Sequence, residues 1–259
     1  MIQITVLGSG SKGNCCAVSI PGMVCLIDAG FSAREIERRA GLAGLDLNRL
    51  AGIIVTHEHN DHAQGAALLA KRYRVPILAS QGTIAALRLA PQSAIPLTGL
   101  DPITLGPFSI ESADTCHDAA EPVAVAISSQ GGRIGYATDL GVAGAGVRWL
   151  FRDLNAIILE SNYEEILLRT SGYPISVQDR IAGTGGHLSN GAAAELLSEI
   201  YQPQLQTVIL AHLSQRCNTP THALERAGMA LDVVGYSGRL VVAEQNEILS
   251  NIGLELAPT

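Results

Sequence analysis

Three histidines and two acidic residues lie within one heptapeptide, Thr56-His57-Glu58-His59-Asn60-Asp61-His62. His57 and His59 are two positions apart, so in extended backbone their side chains point to the same side. Asp61 and His62 follow at the turn into a predicted helix. Four ligands from so short a segment cannot easily surround one ion, so the spacing favours two ions, each bound by one of these pairs. The alternative is a solvated polar loop, but clustered histidine and carboxylate residues are typical of metal sites.

Further candidate ligands stand at the ends of predicted strands. The heptapeptide itself follows the apolar run Gly52-Ile53-Ile54-Val55, which is typical of a buried strand. His117, Asp139 and His212 each follow another predicted strand in the same way. A lone residue of this kind is more often structural, but two ions held only by the heptapeptide still lack ligands. Because a bridging carboxylate would hold both ions together, we expect these residues to complete the site.

Predicted strands and helices alternate along most of the chain, which indicates an α/β layered fold. The predicted strands cover residues 4–7, 24–27, 52–55, 76–79, 108–113, 123–129, 133–138, 156–159 and 207–211. The predicted helices cover residues 33–40, 63–72, 82–89, 191–200 and 219–230. Ser32 and Glu35 form a capping-box pattern at the first helix. No linker interrupts the chain, so we expect a single domain over residues 1–259, and its two strand-helix halves suggest an internal duplication.

Composition restricts the class of protein. The chain has 259 residues, of which 47% are hydrophobic and 16% charged, as in an ordinary compact globule. No apolar run approaches the roughly 18 residues of a membrane span, and the first residues lack the features of a signal peptide. Five cysteines without a C-x-x-C pair suit a reducing compartment. We therefore expect a cytoplasmic protein without a membrane partner.

The net charge of −7 argues against a generally basic, DNA-coating surface. Two divalent ions would nevertheless make a locally positive cleft, so a nucleic-acid substrate stays open. The loop Gly8-Ser9-Gly10-Ser11-Lys12-Gly13-Asn14 is a candidate phosphate contact, because its backbone N–H groups can approach an anion. A plain connection between strands is the equal alternative, and the spacing does not fit a nucleotide P-loop.

The ligand pattern resembles that of the metallo-β-lactamase-fold hydrolases along essentially the whole chain. The resemblance implies an αββα sandwich, with two mixed central sheets covered by outer helices. It also implies that the first ion is held by His57, His59 and His117 and the second by Asp61, His62 and His212, with Asp139 bridging. Asp28 would then hydrogen-bond to a ligand without binding an ion itself.

Two later motifs resemble one branch of that superfamily. Gly186-His187-Leu188-Ser189 and Leu210-Ala211-His212-Leu213-Ser214-Gln215-Arg216 are similar to the final motifs of ribonuclease Z and the cyclic phosphodiesterases. Glu160 stands where that branch has an acid partnered with an additional histidine, here His187. The resemblance therefore implies that these two residues act as a pair.

Three segments together resemble the YycJ (WalJ) family, whose members are bacterial cytoplasmic proteins described as 5′→3′ DNA exonucleases. These segments are the loop 8–14, His117-Asp118-Ala119-Ala120-Glu121-Pro122 and residues 186–190. Lys12 and Cys217 depart from the residues expected in the motifs. The chain has neither a long insertion for the tRNA-binding arm of ribonuclease Z nor room for a β-CASP domain.

The resemblance implies metal-assisted phosphodiester hydrolysis with two divalent ions per chain, either Zn or Mn/Fe. Water activated by the ions would attack phosphorus, with His187 oriented by Glu160 to protonate the leaving oxygen or stabilise charge on the phosphoryl group. The expected catalytic residues are Asp61, His187 and Glu160. The residues expected to contact the substrate are Ser11, Asn14, Ser189 and Arg216.

Other reactions use the same metal loop. The main alternative is a thioester or lactam hydrolase of the glyoxalase II type, in which the pair of His187 and Glu160 has no obvious role. A third alternative is a non-catalytic binding module. The expected partner is a nucleic acid or another phosphodiester, with DNA favoured over RNA. The sequence leaves the oligomeric state open, including a dimer.

Overall fold

The computed structural model describes residues 2–254 of the chain. In chain order the strands are β1 (Gln3–Gly8), β2 (Cys15–Ile20), β3 (Met23–Ile27), β4 (Leu50–Ile54), β5 (Ile77–Ala79), β6 (Ala94–Pro96), β7 (Ile103–Leu105), β8 (Phe108–Asp114), β9 (Val123–Ser129), β10 (Gly132–Ala137), β11 (Ala156–Glu160), β12 (Thr207–Ala211), β13 (Arg239–Val242) and β14 (Leu249–Gly253). The helices are α1 (Ala33–Leu42), α2 (Asn60–Ala63), α3 (Ala66–Tyr73), α4 (Gln81–Ala86), α5 (Ala145–Leu150), α6 (Glu165–Arg169), α7 (Ile175–Ala182), α8 (Asn190–Ile200) and α9 (Pro220–Val233). Short 3₁₀ helices cover Leu47–Arg49 and Pro91–Ser93.

Within that range the strands form two mixed sheets of seven strands each. The first sheet has the order β14-β1-β2-β3-β4-β5-β6, and the second has the order β13-β12-β11-β10-β9-β8-β7. In the first sheet the run from β3 to β6 is parallel, and in the second the run from β10 to β13 is parallel. The remaining pairs are antiparallel. Both sheets therefore combine an antiparallel half with a parallel half.

Alternation along the central strands divides the core into layers. In β11, Ala156 and Ile158 pack into the core between the two sheets, whereas Ile157 and Leu159 pack against the outer helices. This follows from the two-residue period of a strand, which sends successive side chains to opposite faces. Both faces of the strand are buried, so its sequence is a continuous apolar run, as is common in parallel sheets.

The outer layers complete an αββα sandwich, which confirms the predicted fold class. Residues of α5, α8 and α9 pack on the second sheet, and residues of α1 and α3 pack on the first. Helix α1 begins as predicted at Ser32, whose Oγ accepts a hydrogen bond from Glu35 N at 3.2 Å. The Glu35 carboxylate accepts hydrogen bonds from Arg38 and Arg39, so the predicted capping box is only half formed.

The parallel strands carry the candidate site residues at one edge of the sandwich. Asp28 follows β3, and His57 lies in the loop after β4. In the second sheet, Asp139 follows β10 by two residues, Glu160 ends β11 and His212 follows β12 directly. Because parallel strands end at the same edge of their sheet, each run brings its polar termini together.

Three of these residues have left-handed backbone conformations. The φ angles are 59° at Asp28, 54° at Asp139 and 55° at His212. Residues other than glycine rarely adopt this region, and holding one there costs about 1–3 kcal/mol. Each of them turns the chain sharply at the point where a buried strand ends, so that its side chain faces the site.

The helix predicted over residues 63–72 needs correction, because α2 ends at Ala63 and α3 begins at Ala66. A Cβ at Gly65 would lie 2.5 Å from Phe31 O, so the chain breaks where two backbones touch. The single domain predicted over residues 1–259 includes residues 1 and 255–259, which lie outside the described range. Within the described residues, no helix is long and apolar enough to cross a membrane.

Candidate metal centre

The structure brings the seven predicted metal ligands together. The three ligands of the first group, His57, His59 and His117, have potential ligand atoms within 4.8 Å of one another. The same holds for the four ligands of the second group, which are Asp61, His62, Asp139 and His212. A third group overlaps the second and consists of Asp139, Glu160, His187 and His212. The described residues thus hold every ligand set that the resemblance implies.

Asp139 lies between the two ligand groups. Its Oδ2 is 3.5 Å from His57 Nε2 in the first group and 2.5 Å from His62 Nε2 in the second. Its Oδ1 is 3.1 Å from His212 Nδ1 and 3.9 Å from His117 Nε2. A carboxylate in this position can reach ions in both groups, as the sequence predicts for a bridging ligand.

Four of the candidate ligand histidines are held through Nδ1, which leaves Nε2 for an ion. His62 Nδ1 lies 2.7 Å from Asp28 Oδ2 and His212 Nδ1 lies 2.8 Å from Glu160 Oε1. His117 Nδ1 lies 3.0 Å from Gly186 O, and His57 Nδ1 lies 3.1 Å from Thr56 Oγ1. Ligand histidines usually donate their second ring N–H to such an oxygen, which fixes the tautomer and the ring orientation.

Asp28 organises the ligands of the first sheet. It is fully buried and accepts hydrogen bonds from Thr56 N at 2.9 Å, Thr56 Oγ1 at 3.0 Å and Tyr136 OH at 3.0 Å, in addition to its contact with His62. Thr56 Oγ1 in turn contacts His57. One carboxylate therefore orients a ligand of the second group directly and a ligand of the first group through a hydroxyl.

Glu160 has a similar role at the second sheet and orients two histidines. Its Oε1 lies 2.9 Å from His187 Nδ1 and 2.8 Å from His212 Nδ1. Its Oε2 accepts hydrogen bonds from Leu140 N and Leu188 N at 2.9 and 3.0 Å. The sequence predicts the pairing with His187, but not the contact with the candidate ligand His212.

Charges in the site shift the acids and their partner histidine in opposite directions. Burial raises the pKa of Asp139, but the charges of His212 and His62 outweigh this effect and hold the pKa well below its usual range. Burial also raises the pKa of Glu160, whereas the charge and hydrogen bond of His187 lower it to about 2. Burial lowers the pKa of His187, but Glu160 and Asp139 raise it to about 9. Both acids are therefore ionised near neutral pH.

Two candidate ligand histidines, His57 and His62, differ in their affinity for a proton. Burial lowers the pKa of His57 well below its usual value, and the neighbouring charge of His62 adds to this effect. Burial lowers the pKa of His62 as well, but Asp28 and Asp139 raise it to about 10. Because only the neutral imidazole binds a metal, protons and metal ions compete for His62 more than for His57.

Unpaired buried atoms test whether the site fits divalent ions. Among the described residues, five buried side-chain atoms have no hydrogen-bond partner, and two of them are His57 Nε2 and His212 Nε2. Leaving one such atom unpaired costs about 1–3 kcal/mol, and an ion at each ligand group would satisfy them. Imidazole nitrogen and carboxylate oxygen suit divalent ions such as Zn, Mn or Fe. The residues present fit the implied metals.

Main-chain hydrogen bonds fix the ligand loop independently of its side chains. Asn14 N donates to Asp61 O at 2.8 Å, and Ala29 N donates to His62 O at 2.7 Å. A Cβ at Gly30 would lie only 1.7 Å from Asp61 O. The loop after β3 and the ligand loop thus touch backbone to backbone, and only glycine fits at their crossing.

The four residues predicted to contact substrate have different surroundings. Ser11 is exposed in the loop after β1. Asn14 is fully buried, and its Oδ1 accepts hydrogen bonds from Ser9 Oγ and Gly10 N at 2.9 Å each. Ser189 Oγ caps α8 by accepting from Ala192 N. Arg216 is exposed and donates to Ser171 O at 2.6 and 3.0 Å. Their contact with substrate stays a prediction.

Three site residues were not predicted from sequence. Thr56 and Tyr136 donate hydrogen bonds to Asp28. Tyr136 comes from the opposite sheet, so no local sequence pattern indicates its contact. Asp118 lies beside the ligand His117, with its Oδ1 3.2 Å from His117 Nε2. Its position directly after a predicted ligand and its place in the segment 117–122 were the available signals.

The chain is similar to proteins of a known family. Residues 24–213 match the family described as the beta-lactamase superfamily domain. The chain is 32% identical over 241 residues to exodeoxyribonuclease YycJ of Bacillus anthracis, covering 91% of each chain. It is 28% identical over 224 residues to exodeoxyribonuclease WalJ of Streptococcus pneumoniae, covering 83% of each.

A solved structure shows the same fold. The metallo-β-lactamase fold protein YhfI from Bacillus subtilis superimposes with a TM-score of 0.73 at 17% sequence identity, covering 96% of this chain and 99% of that one. At this identity the likeness concerns the fold alone. The two sheets and the helices on either side are therefore an established arrangement.

Proposed function

The chain belongs to the beta-lactamase superfamily, and from this premise we propose that it is a two-metal phosphodiesterase that degrades DNA as a 5′→3′ exonuclease. The observation that carries the proposal is the contact of Glu160 with both His187 and His212. Through this contact Glu160 holds His187, which is outside the predicted ligand set, next to the candidate ligand His212. A group that can carry a proton therefore lies beside the site where the proposal expects the phosphoryl group. Its relatives YycJ and WalJ, both named exodeoxyribonucleases, support the choice of DNA.

The ligand groups assign each ion its residues. We assign one divalent ion to His57, His59 and His117 and another to Asp61, His62 and His212, with Asp139 shared between them. When bound, the two ions supply a nucleophile at neutral pH by lowering the pKa of water, and they compensate charge on the phosphoryl oxygens. The nitrogen and oxygen ligands suit Zn, Mn or Fe.

His187 is the residue that we propose to hold and deliver a proton. Its Nδ1 is within 3.0 Å of Asp139 Oδ1 and 2.9 Å of Glu160 Oε1. With Nδ1 engaged by two carboxylates, Nε2 is the ring nitrogen that remains for the substrate. A histidine in this setting can protonate the leaving oxygen or stabilise negative charge on the phosphoryl group.

Glu160 and Asp61 support this step in different ways. Glu160 is buried and fixes the ring of His187, so it acts through that histidine. Asp61 is more open, with its Oδ2 3.7 Å from both His62 Nε2 and His212 Nε2. Its carboxylate lies at the ligand nitrogens and can accept a proton from an attacking water. This is the general-base role that the proposal gives to Asp61.

The test compares bond types on one preparation. The metal-loaded protein is incubated with bis-p-nitrophenyl phosphate, 5′-phosphorylated single-stranded DNA, a β-lactam and a glutathione thioester. The proposal expects metal-dependent cleavage of the two phosphodiesters. Cleavage of the thioester or the lactam with both phosphodiesters intact would favour the alternative hydrolase and reject the proposal.

Polarity and sugar preference need a second measurement. DNA labelled at its 5′ end should release label in the smallest products from the first time point, whereas 3′-labelled DNA should shorten progressively. Matched RNA tests the preference for DNA. Release of short labelled products first from the 3′ end would overturn the proposed direction, although the phosphodiesterase activity would stand.

A further inference from the structure

A cleft of about 230 Å³ opens directly beside the proposed catalytic histidine. One wall consists of His117, His187 and the backbone at Gly185 and Gly186. The opposite wall comes from α7 and the residues before it, and it presents three partly exposed apolar side chains. These are Tyr173, Val177 and Ile181. The cleft therefore continues the metal centre towards an apolar surface that the hydrolytic step does not use.

The charges at the cleft neutralise each other. Asp118 and Arg180 both line it, and Asp118 Oδ2 accepts hydrogen bonds from Arg180 Nε and Nη2 at 2.9 and 2.6 Å. A phosphate would need unpaired cations, and the guanidinium of Arg180 is already engaged by a carboxylate. The cleft thus suits an uncharged group attached to the phosphate, not the phosphate itself.

The apolar wall is held in place before any ligand arrives. The guanidinium carbon of Arg216 lies 4.2 Å from the centre of the Tyr173 ring, and Arg216 is itself fixed by two hydrogen bonds to Ser171 O. Tyr173 O accepts a hydrogen bond from Gln178 Nε2 at 2.8 Å. A wall ordered in advance loses little conformational freedom on binding, which favours affinity.

We propose that this cleft binds the base of the nucleotide adjacent to the scissile phosphate. The inference rests on the proposed function and specifies how a DNA strand is positioned. A base is flat, uncharged and apolar on both faces, and nucleic-acid enzymes commonly place it against aromatic and aliphatic side chains. The phosphate would lie at the metal ligands, and its own nucleoside would reach into the cleft past His187.

The size of the cleft restricts what it accepts. Its volume is below the range of about 300–1,000 Å³ typical of pockets for whole drug-sized ligands. It therefore has room for one base but not for a base pair. We expect the strand to enter single-stranded at this point, so paired ends should be cleaved only after they fray.

The first test fills the cleft from α7. Val177 lines it and is 37% exposed, whereas Ile175 on the same helix is 73% exposed and does not line it. The ring of Val177→Phe would occupy the space that we assign to the base. Because base contacts of this kind are worth roughly five- to 150-fold in affinity, KM for single-stranded DNA should rise about tenfold. The matched control Ile175→Phe should leave KM unchanged, and kcat should change little in either variant.

Val177→Ala is a second variant that guards against misfolding of the larger one. It removes two methyl groups from the apolar wall, and we expect a smaller rise in KM, about two- to threefold. Thermal melting of each variant confirms that it is folded. Equal KM values for Val177→Phe, Val177→Ala and the control would overturn the assignment of the base to this cleft.

The second test removes the base instead of the wall. Oligonucleotides with one abasic position at the first, second or third nucleotide are compared with the intact strand. One abasic position should raise KM for the wild-type protein about as much as Val177→Phe does, and the two changes should not add. If no abasic position changes KM, or if the effects add fully, the inference is wrong while phosphodiester cleavage stands. If the wild-type protein cleaves no DNA, both the inference and the proposed function fall.

Discussion

Two buried carboxylates, Asp28 and Glu160, support the candidate ligands, one from each sheet. Each lies where a parallel strand ends, and each contacts Nδ1 of a candidate ligand. Asp28 contacts the candidate ligand His62 and two hydrogen-bond donors, Thr56 and Tyr136. None of these groups is assigned a role in proton transfer. Glu160 holds one ligand and also His187, whose side chain is 22% exposed.

The difference assigns separate tasks to the two halves. The hydrogen bonds around Asp28 serve to fix ligand geometry. The second sheet uses a similar set to fix a ligand together with a histidine that reaches the cleft. We infer that metal affinity depends on both carboxylates, whereas only Glu160 of the two affects proton transfer.

The largest effect is expected for the residue between the halves. Asp139→Ala removes the carboxylate that lies near both ligand groups, so the two ions that we propose would lose their shared ligand. Activity on bis-p-nitrophenyl phosphate should fall at least about a thousandfold, which corresponds to about 4 kcal/mol of transition-state stabilisation. Elemental analysis should show fewer than two ions per chain. Full activity in the purified variant would reject the bridging role.

Glu160→Gln tests the proton-transfer half of the comparison. The amide keeps the size of the side chain but loses the charge that holds His187 and His212. We expect kcat to fall about a hundredfold or more, the range of general acid–base effects, and excess metal should not restore it. The conservative variant Glu160→Asp serves as a control that keeps the charge. Full rescue by added metal would show that Glu160 acts only through His212.

Asp28→Asn tests the half that only holds ligands. Removing the acceptor of His62 Nδ1–H should weaken metal binding about 10–100-fold, as substitution of such supporting residues usually does. In contrast to Glu160→Gln, activity should return when the metal concentration is raised. Titration with Zn or Mn against activity measures this. A loss of kcat that persists at saturating metal would remove the distinction between the two carboxylates.

Tyr136→Phe should have the smallest effect on activity of these four substitutions. It deletes one hydrogen bond of 3.0 Å to Asp28 and leaves the other donors in place. We expect a loss of about 1–2 kcal/mol in the free energy of unfolding, with kcat within about twofold of wild type. Denaturant titration and steady-state kinetics measure the two quantities. A large fall in kcat would mean that the hydrogen bonds around Asp28 contribute to the chemical step.

Much of this arrangement could be predicted from the sequence, because ligands and strand ends coincide. The heptapeptide at residues 56–62 and the polar residues after three later strands are visible as abrupt ends of apolar runs. Such runs predict the buried strands, and parallel strands bring their ends to a common edge. The αββα sandwich itself followed from resemblance, since alternation of strands and helices indicates only a layered α/β fold.

The parts that could not be predicted depend on contacts between distant segments. The link from Tyr136 to Asp28 crosses from one sheet to the other, and no local pattern encodes it. Asn14 was predicted to contact the substrate, but packing buries it completely, which no local pattern indicates. The break at Gly65 arises from the approach of Phe31 O, which is a tertiary constraint on a segment of favourable helical pattern.

The backbone crossing at Gly30 has a consequence for how the protein acquires its ions. Because main-chain hydrogen bonds already set the course of the ligand loop, we expect the protein to fold first and to bind metal afterwards. A preformed cage of nitrogen and oxygen atoms binds several divalent ions, with affinities that follow their intrinsic order. The ion present in the cell would then be decided less by the protein than by which metal pool is available when the newly made chain has folded.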